Sequence, residues 1–288
     1  MGTFATVSLP DGNGNCADRA FEAMREVDST LSSYDPHAEI YRLNHERNIA
    51  ISAMTFDALN KAKKYYAQSN GYFDVTVGSL TRGAYRFGEA ERVPDVQEKL
   101  KAAVGFSLLE FNATHAALKP GAMVDLGGFG KGYGIDRAAE ALRHCGAERA
   151  TVALSGDIRC LGECRLAVQD PFSEGALMTF ETFHAETGIS TSGNYRRYVG
   201  DKSENHLIDP KTRTSEKAFA SVTLIGTCSN SDLDAWTTAA SVMPPEEAFA
   251  FLKQLPVAYV VVFNDGKIVQ SANLSHYINK TEAGHEND

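Results

Sequence analysis

Asp234 and Thr238 stand four residues apart in the stretch 231–240, where acids in the first turn mark a helix start. On a helix that spacing puts them on one face, away from the apolar stripe of Leu233, Trp236 and Ala240. A carboxylate and a hydroxyl stacked this way are hard oxygen donors of the kind Mg²⁺ takes. The same acid also serves simply to offset the helix dipole. A second stretch, residues 124–137, packs five glycines between an apolar strand-like start and a helix whose inner face is Ile135, Ala138, Ala139 and Leu142. Such a joint presents backbone N–H groups and a helix N-terminus, which favour a phosphate. It is neither GxGxxG, because Tyr133 stands where the third glycine belongs, nor an NTP loop, because Gly132 follows Lys131. A tight turn with close packing accounts for the same glycines. Tyr34, beside Asp35-Pro36, is placed to stack on a flat ring or to anchor its loop. Asp74, an acid inside the strand-like stretch 72–78, either caps a turn or faces a ligand.

The elements that must position these residues follow from periodicity and punctuation. A first strand over residues 3–9 precedes a helix marked by Ala17, Ala20, Phe21, Met24, Val27 and Leu31. Thr55 is a plausible cap for a second helix, and a third runs over 95–104 with Gly105 as its stop. A hairpin over 106–111 and 116–118 feeds a central strand at the head of the glycine-rich joint. Strands are expected at 151–154, 166–169, 177–183 and 221–225, with 189–195 as a small-residue polar loop. Pro245 opens a last helix, and strands 257–263 and 267–271 turn at Asn264-Asp265-Gly266. No repeat or linker divides the chain. The reading is one compact α+β domain over 1–278, in two lobes with mixed and antiparallel sheets flanked by helices. The ligand site lies between the lobes, and a polar tail occupies 279–288.

Composition excludes several function classes. The chain of 288 residues is 43% hydrophobic and 23% charged, an ordinary globular balance. A net charge of −9 argues against a nucleic-acid backbone or an anionic membrane surface as partner. No apolar run is long enough to span a membrane. The five cysteines are odd in number and scattered, so they read as buried structural thiols rather than a disulfide framework or a zinc site.

Taken together, five motifs resemble the ApbE family of FAD:protein FMN transferases. They are Asp125-Leu126-Gly127-Gly128-Phe129-Gly130-Lys131-Gly132-Tyr133, Ser155-Gly156-Asp157-Ile158-Arg159, Thr191-Ser192-Gly193-Asn194-Tyr195, His206-Leu207-Ile208-Asp209-Pro210 and Asp234-Ala235-Trp236-Thr237-Thr238-Ala239. Met1-Gly2-Thr3 and Ser32-Ser33-Tyr34 match the family's opening, so the likeness runs from Met1 to about Ala272. The resemblance implies Mg²⁺-dependent transfer of FMN from FAD, as substrate, onto a Thr or Ser hydroxyl of a target flavoprotein, releasing AMP. It implies that His206, one of eight histidines, takes the proton of the attacking hydroxyl. Gly128, through its carbonyl, with Asp234, Thr237 and Thr238, would hold the metal. Position 237 is Thr where some members carry an acid, which makes the metal's surroundings less anionic. Met1, Tyr34, Tyr72, Phe73, Asp74, Asp125, Lys131 and Ile208 would line the FAD.

Two other functions fit the same residues. In an FAD pyrophosphatase, water replaces the protein hydroxyl and FMN and AMP are both released. A non-catalytic FAD carrier needs neither His206 nor the Asp234/Thr238 pair. The implied partner is an acceptor flavoprotein of respiratory or redox type with a Ser/Thr flavinylation motif, and no nucleic acid. The implied location is the periplasmic side of the inner membrane if an export or lipoprotein leader has been removed, and otherwise the cytoplasm.

Overall fold

In a computed structural model that describes residues 3–10, 14–194, 197–215 and 217–281, the chain folds around a seven-stranded sheet. Its order is β1 (Ala5–Ser8), β5 (Ala150–Leu154), β6 (Asp157–Leu161), β9 (Glu186–Gly193), β10 (Phe219–Gly226), β11 (Ala258–Phe263) and β12 (Ile268–Gln270). Neighbours in this sheet run antiparallel. Three helices cover one face: α1 (Gly14–Leu31), α5 (Gly130–His144) and α6 (Asn230–Val242). Helix α1 turns Cys16, Ala20, Met24, Val27 and Leu31 inward, a stripe at helical spacing. A small sheet of β13 (Ile278–Thr281), β8 (Ala176–Thr182) and β7 (Arg165–Gln169) covers the other face. Alternation along β11 serves both layers: Ala258 and Val260 pack toward the small sheet, Tyr259 and Val261 toward the helices.

The second lobe holds α2 (Glu39–Glu46), α3 (Ala53–Gln68) and a three-stranded sheet of β2 (Asn48–Ala50), β4 (His115–Leu118) and β3 (Leu109–Phe111). One hydrophobic cluster runs from this lobe through Phe73, Phe129 and α6, so the lobes share a core. The short α4 (Val96–Lys101), closed by a capping box at Asp95, and α7 (Pro245–Leu252) complete the order. The expected α+β fold in two lobes with antiparallel sheets and flanking helices is what the chain adopts.

Several local expectations are corrected. Residues 124–126 are not a strand. Asn44, buried, donates from Nδ2 to the Val124 carbonyl (2.8 Å) and accepts the Val124 N–H at Oδ1 (2.7 Å), so one side chain supplies the bonds a neighbouring strand would have made. Residues 72–78 are also irregular, because Asp74 Oδ1 accepts both the Thr76 N–H (2.8 Å) and its hydroxyl (2.7 Å) and folds the stretch into a turn. The cap of α3 is Ser52, whose hydroxyl accepts the Thr55 N–H, so the helix begins earlier than a Thr55 cap would place it. The supposed loop at 189–195 is largely strand β9, with residues 189–193 paired to β10 and Ile189 paired to β6 as well. The boundary drawn at 278 falls on the first residue of β13, whose pairing with β8 continues through residue 281. The cysteines differ most. Cys16–Cys145 ties the start of α1 to the end of α5, Cys160–Cys164 bridges the corner from β6 to β7, and only Cys228 is free. The odd cysteine count hid both bridges, and Cys16 and Cys145, far apart in sequence, meet only once α1 packs on α5.

Candidate active site

The start of α5 and the start of α6 are pressed together because Gly132 has no side chain. A Cβ there would lie 2.1 Å from the Asn230 carbonyl oxygen, well inside contact distance. Two neighbouring glycines do the same elsewhere around the site: a Cβ on Gly78 would sit 2.5 Å from the Met123 carbonyl oxygen, and one on Gly188 2.6 Å from Leu233 Cδ1. Asp136, from α5, fastens the contact by accepting the Asn230 N–H (2.7 Å) and the Ser231 N–H (2.9 Å), which caps α6 from outside its own chain segment.

This close approach builds a charged centre. Lys131 Nζ lies 2.9 Å from Asp157 Oδ2 and 3.1 Å from Asp234 Oδ1, and both acids are essentially buried. Asp234 Oδ2 accepts the Gly132 N–H (3.0 Å), so a helix N-terminal donor that could have met a phosphate is spent on a carboxylate. Ser190 donates a short hydrogen bond to Asp157 Oδ1. Burial and the Asp157 charge push the Asp234 carboxyl above the ordinary range, against the pull of Lys131. Burial works against the Lys131 ammonium, but Asp157 and Asp234 outweigh it and hold its pKa above the usual lysine value. Two carboxylates facing one ammonium leave one negative charge unmatched when both are ionised. Beside them, the Thr238 hydroxyl donates to the Gly128 carbonyl (3.0 Å). The donors are all oxygen, and Lys131 already stands in as a cation between the acids, so the residues fit a hard divalent ion. Among the described residues no cluster of three or more His, Cys, Asp and Glu gathers, so such an ion would depend on the hydroxyl and carbonyl as well.

Above this centre a cleft of about 1090 Å³ opens between the lobes. It is lined by Tyr34, Tyr72, Phe73, Asp74, Asp125, Gly128, Lys131, His206, Ile208 and Thr238, all expected from the sequence. Asp234 lies beneath its floor. Thr237 sits further behind, fully buried, its hydroxyl against the Leu233 carbonyl and Ser190. Met1 lies outside the described residues. Asp125 is held by the Thr81 hydroxyl (2.6 Å, to Oδ2) and the Gly127 N–H (2.9 Å, to Oδ1). Asp74 caps its turn and lines the cleft as well; burial raises its pKa and the Thr76 hydrogen bonds oppose the rise.

His206 enters from a loop, its ring Nδ1 3.1 Å from the Arg197 carbonyl oxygen. A carbonyl can only accept, so Nδ1 carries the proton and Nε2 keeps its lone pair. Desolvation in the cleft wall, then the charge of Arg197, push its pKa down to about 4, which keeps the imidazole neutral at pH 7. Sequence reasoning left Asp157, Ser190, Thr81 and Arg197 without roles. Asp157 offered a signal, an acid at an inward position of a buried strand, while the others depend on contacts across the fold.

Comparison with known proteins finds a family and a shared fold. A family model described as the ApbE family matches residues 1–262. The FAD:protein FMN transferase of Escherichia coli (strain K12) is 29% identical over 92% of this chain and 83% of its own length. The transferase of the same name from Salmonella typhimurium is also 29% identical, over 93% of this chain and 83% of its own. The crystal structure of the ApbE protein from Thermotoga maritima superposes with a TM-score of 0.87 at 26% identity, covering 96% of each chain. Flavin transferase ApbE from Vibrio cholerae gives 0.83 at 25% identity, again over 96% of each. By sequence along most of its length and by fold along nearly all of it, the chain belongs to the ApbE family.

Proposed function

We propose that this protein is a transferase that moves the FMN half of FAD onto a Thr or Ser hydroxyl of an acceptor flavoprotein, with AMP as the leaving group. The observation that carries this reading is one cleft with a neutral histidine whose Nε2 keeps its lone pair, aromatic walls, and buried oxygen donors gathered around Lys131 at its floor. The acceptor oxygen bonds to the phosphorus of the FMN half while its proton passes to His206 Nε2. The bond from that phosphorus to the bridging oxygen breaks, and AMP departs with the electron pair. Arg197 fixes the tautomer through its carbonyl, and Lys131 brings positive charge to the cleft floor near the phosphates. Gly128, Asp234 and Thr238, with Asp157 beside them and Thr237 behind, would hold Mg²⁺, which when bound neutralises charge on the phosphoryl oxygens. Tyr34, Tyr72, Phe73 and Ile208 supply the apolar surface for FAD's rings, and Asp74 and Asp125 accept from ring or ribose donors.

The acceptor is of respiratory or redox type with a Ser/Thr flavinylation motif. The setting is the periplasmic side of the inner membrane, a reading supported by two disulfides, which persist in oxidising compartments. The test is in-gel fluorescence after mixing the protein with FAD, Mg²⁺ and an acceptor domain bearing a Ser/Thr-Gly-Ala-Thr-like stretch. A flavin band on the denatured acceptor, lost with EDTA and in His206→Ala, is expected. Free FMN and AMP beside a dark acceptor would instead establish a pyrophosphatase.

A further inference from the structure

Tyr34 is held from two sides by arginines, Arg82 and Arg197, and Arg82 has no part in the motifs or in the reaction as described. The Arg82 guanidinium lies 3.5 Å from the centre of the Tyr34 ring and covers one of its faces. Arg82 is itself buried, 7% exposed, and is fixed by the Phe87 carbonyl (2.9 Å), the Ser33 carbonyl (3.3 Å) and Glu89 (2.8 Å). At the other end, Arg197 Nη2 donates to the Tyr34 hydroxyl (2.7 Å), which donates onward to the Phe87 carbonyl (3.0 Å). What remains exposed of Tyr34, 39%, belongs to a residue that lines the cleft. A loop anchor needs one such contact. Here a buried cation, a carbonyl and a second cation fix the ring's tilt and rotation before any ligand arrives.

From this geometry we infer that Arg82 is a positioning residue for FAD: stacked behind Tyr34, it presets the open face of the phenol as the platform on which one aromatic ring of the substrate lies. Arg82 does not itself line the cleft; it meets the lining residues Tyr34, through its ring face, and Ser33 and Phe87, through their carbonyls. It projects from the π-helical turn Ser79–Ala84, which also sends Thr81 to Asp125, so one rare turn orients two residues of the cleft wall. A ring already locked loses little freedom on binding, so unlocking it weakens affinity and leaves the chemical step alone. The inference rests on the flavin-transfer reading for its ligand but is tested by binding, which needs no turnover.

The experiment is calorimetric titration of FAD, FMN and AMP into His206→Ala protein, with and without Arg82→Met, alongside steady-state transfer by the protein with native His206. Arg82→Met is expected to weaken FAD binding by about three- to tenfold. KM for FAD should rise to match, kcat should stay within about twofold, and thermal stability in the absence of ligand should set the size of any general loosening. Weakening confined to FMN places the isoalloxazine on Tyr34, and weakening confined to AMP places the adenine there; either supports the inference. Unchanged affinity for all three ligands, equal weakening of both fragments, or a fall in kcat with KM constant overturns it. Should Arg82→Met not fold, Arg82→Lys keeps the charge but loses the planar stack, and full native affinity in that variant would overturn the inference too. FAD that binds through Arg82 yet is never transferred would sink the transferase reading and leave this one standing. Transfer that proceeds with native affinity in Arg82→Met does the reverse.

Discussion

At His206 a single hydrogen bond decides what the residue can do. With Nδ1–H committed to the Arg197 carbonyl, only Nε2 faces chemistry, and a pKa pushed down to about 4 keeps it able to accept a proton far into the acid range. The acid limb of kcat/KM should therefore fall near pH 4, because the base is present above its pKa and lost as pH drops through it. An ordinary histidine would give a limb near 6.5. A rate–pH profile with FAD subsaturating checks this, and a limb at the ordinary value would mean the free enzyme does not desolvate the ring. His206→Ala should lower kcat by about 10²-fold or more. Most of the cleft's residues were legible from the motifs, since the order of five short stretches placed His206, Asp125 and Asp234 in one site. The pairing of Lys131 with Asp157 and Asp234 was not legible, because it depends on how closely α5 meets α6, and that distance is set by Gly132 rather than by the charged residues.

Among the elements, the stretch leading into α5 is irregular and depends on one side chain. Asn44 provides both hydrogen bonds for Val124, and Asp125 follows directly, its own N–H bonded to the Val75 carbonyl (2.8 Å). Asn44→Ala would leave a buried N–H and a buried carbonyl without partners. The expected cost is about 2–4 kcal/mol, read as a lower denaturant midpoint at constant m-value, with a raised KM for FAD as Asp125 shifts. Stability within about 0.5 kcal/mol of the native protein would mean that water or a relaxed backbone replaces the side chain. This is also why sequence periodicity went astray here and at residues 72–78. Alternating apolar residues look the same whether a neighbouring strand or an Asn or Asp side chain satisfies the backbone. Where strands pair with strands on both sides, as β5, β10 and β11 do, the pattern was sufficient. In β9 it was not, because Ser190 and Thr191 are polar residues within the strand, where they meet Asp157 and Thr223.

Over the whole molecule the two disulfides are unequal in what they constrain. Cys16–Cys145 closes a separation of 129 residues and joins α1 to α5, whereas Cys160–Cys164 closes only 4. Replacing the first pair by Ser should cost about 2–5 kcal/mol and replacing the second far less, since loop entropy grows with the length enclosed. Denaturation curves of the two double variants, with and without reductant, check this; equal losses would refute the assignment of stability to the longer bridge. A different consequence follows from the glycines at 78, 132 and 188, each of which admits no side chain against its neighbour's atoms. In a saturation mutagenesis screen scored by flavin transfer, these positions would rank with His206 and Asp234 although none does chemistry. A map of intolerance would therefore draw the active site too large. Scoring the same library by abundance would remove the three glycines from it and leave the residues that meet FAD.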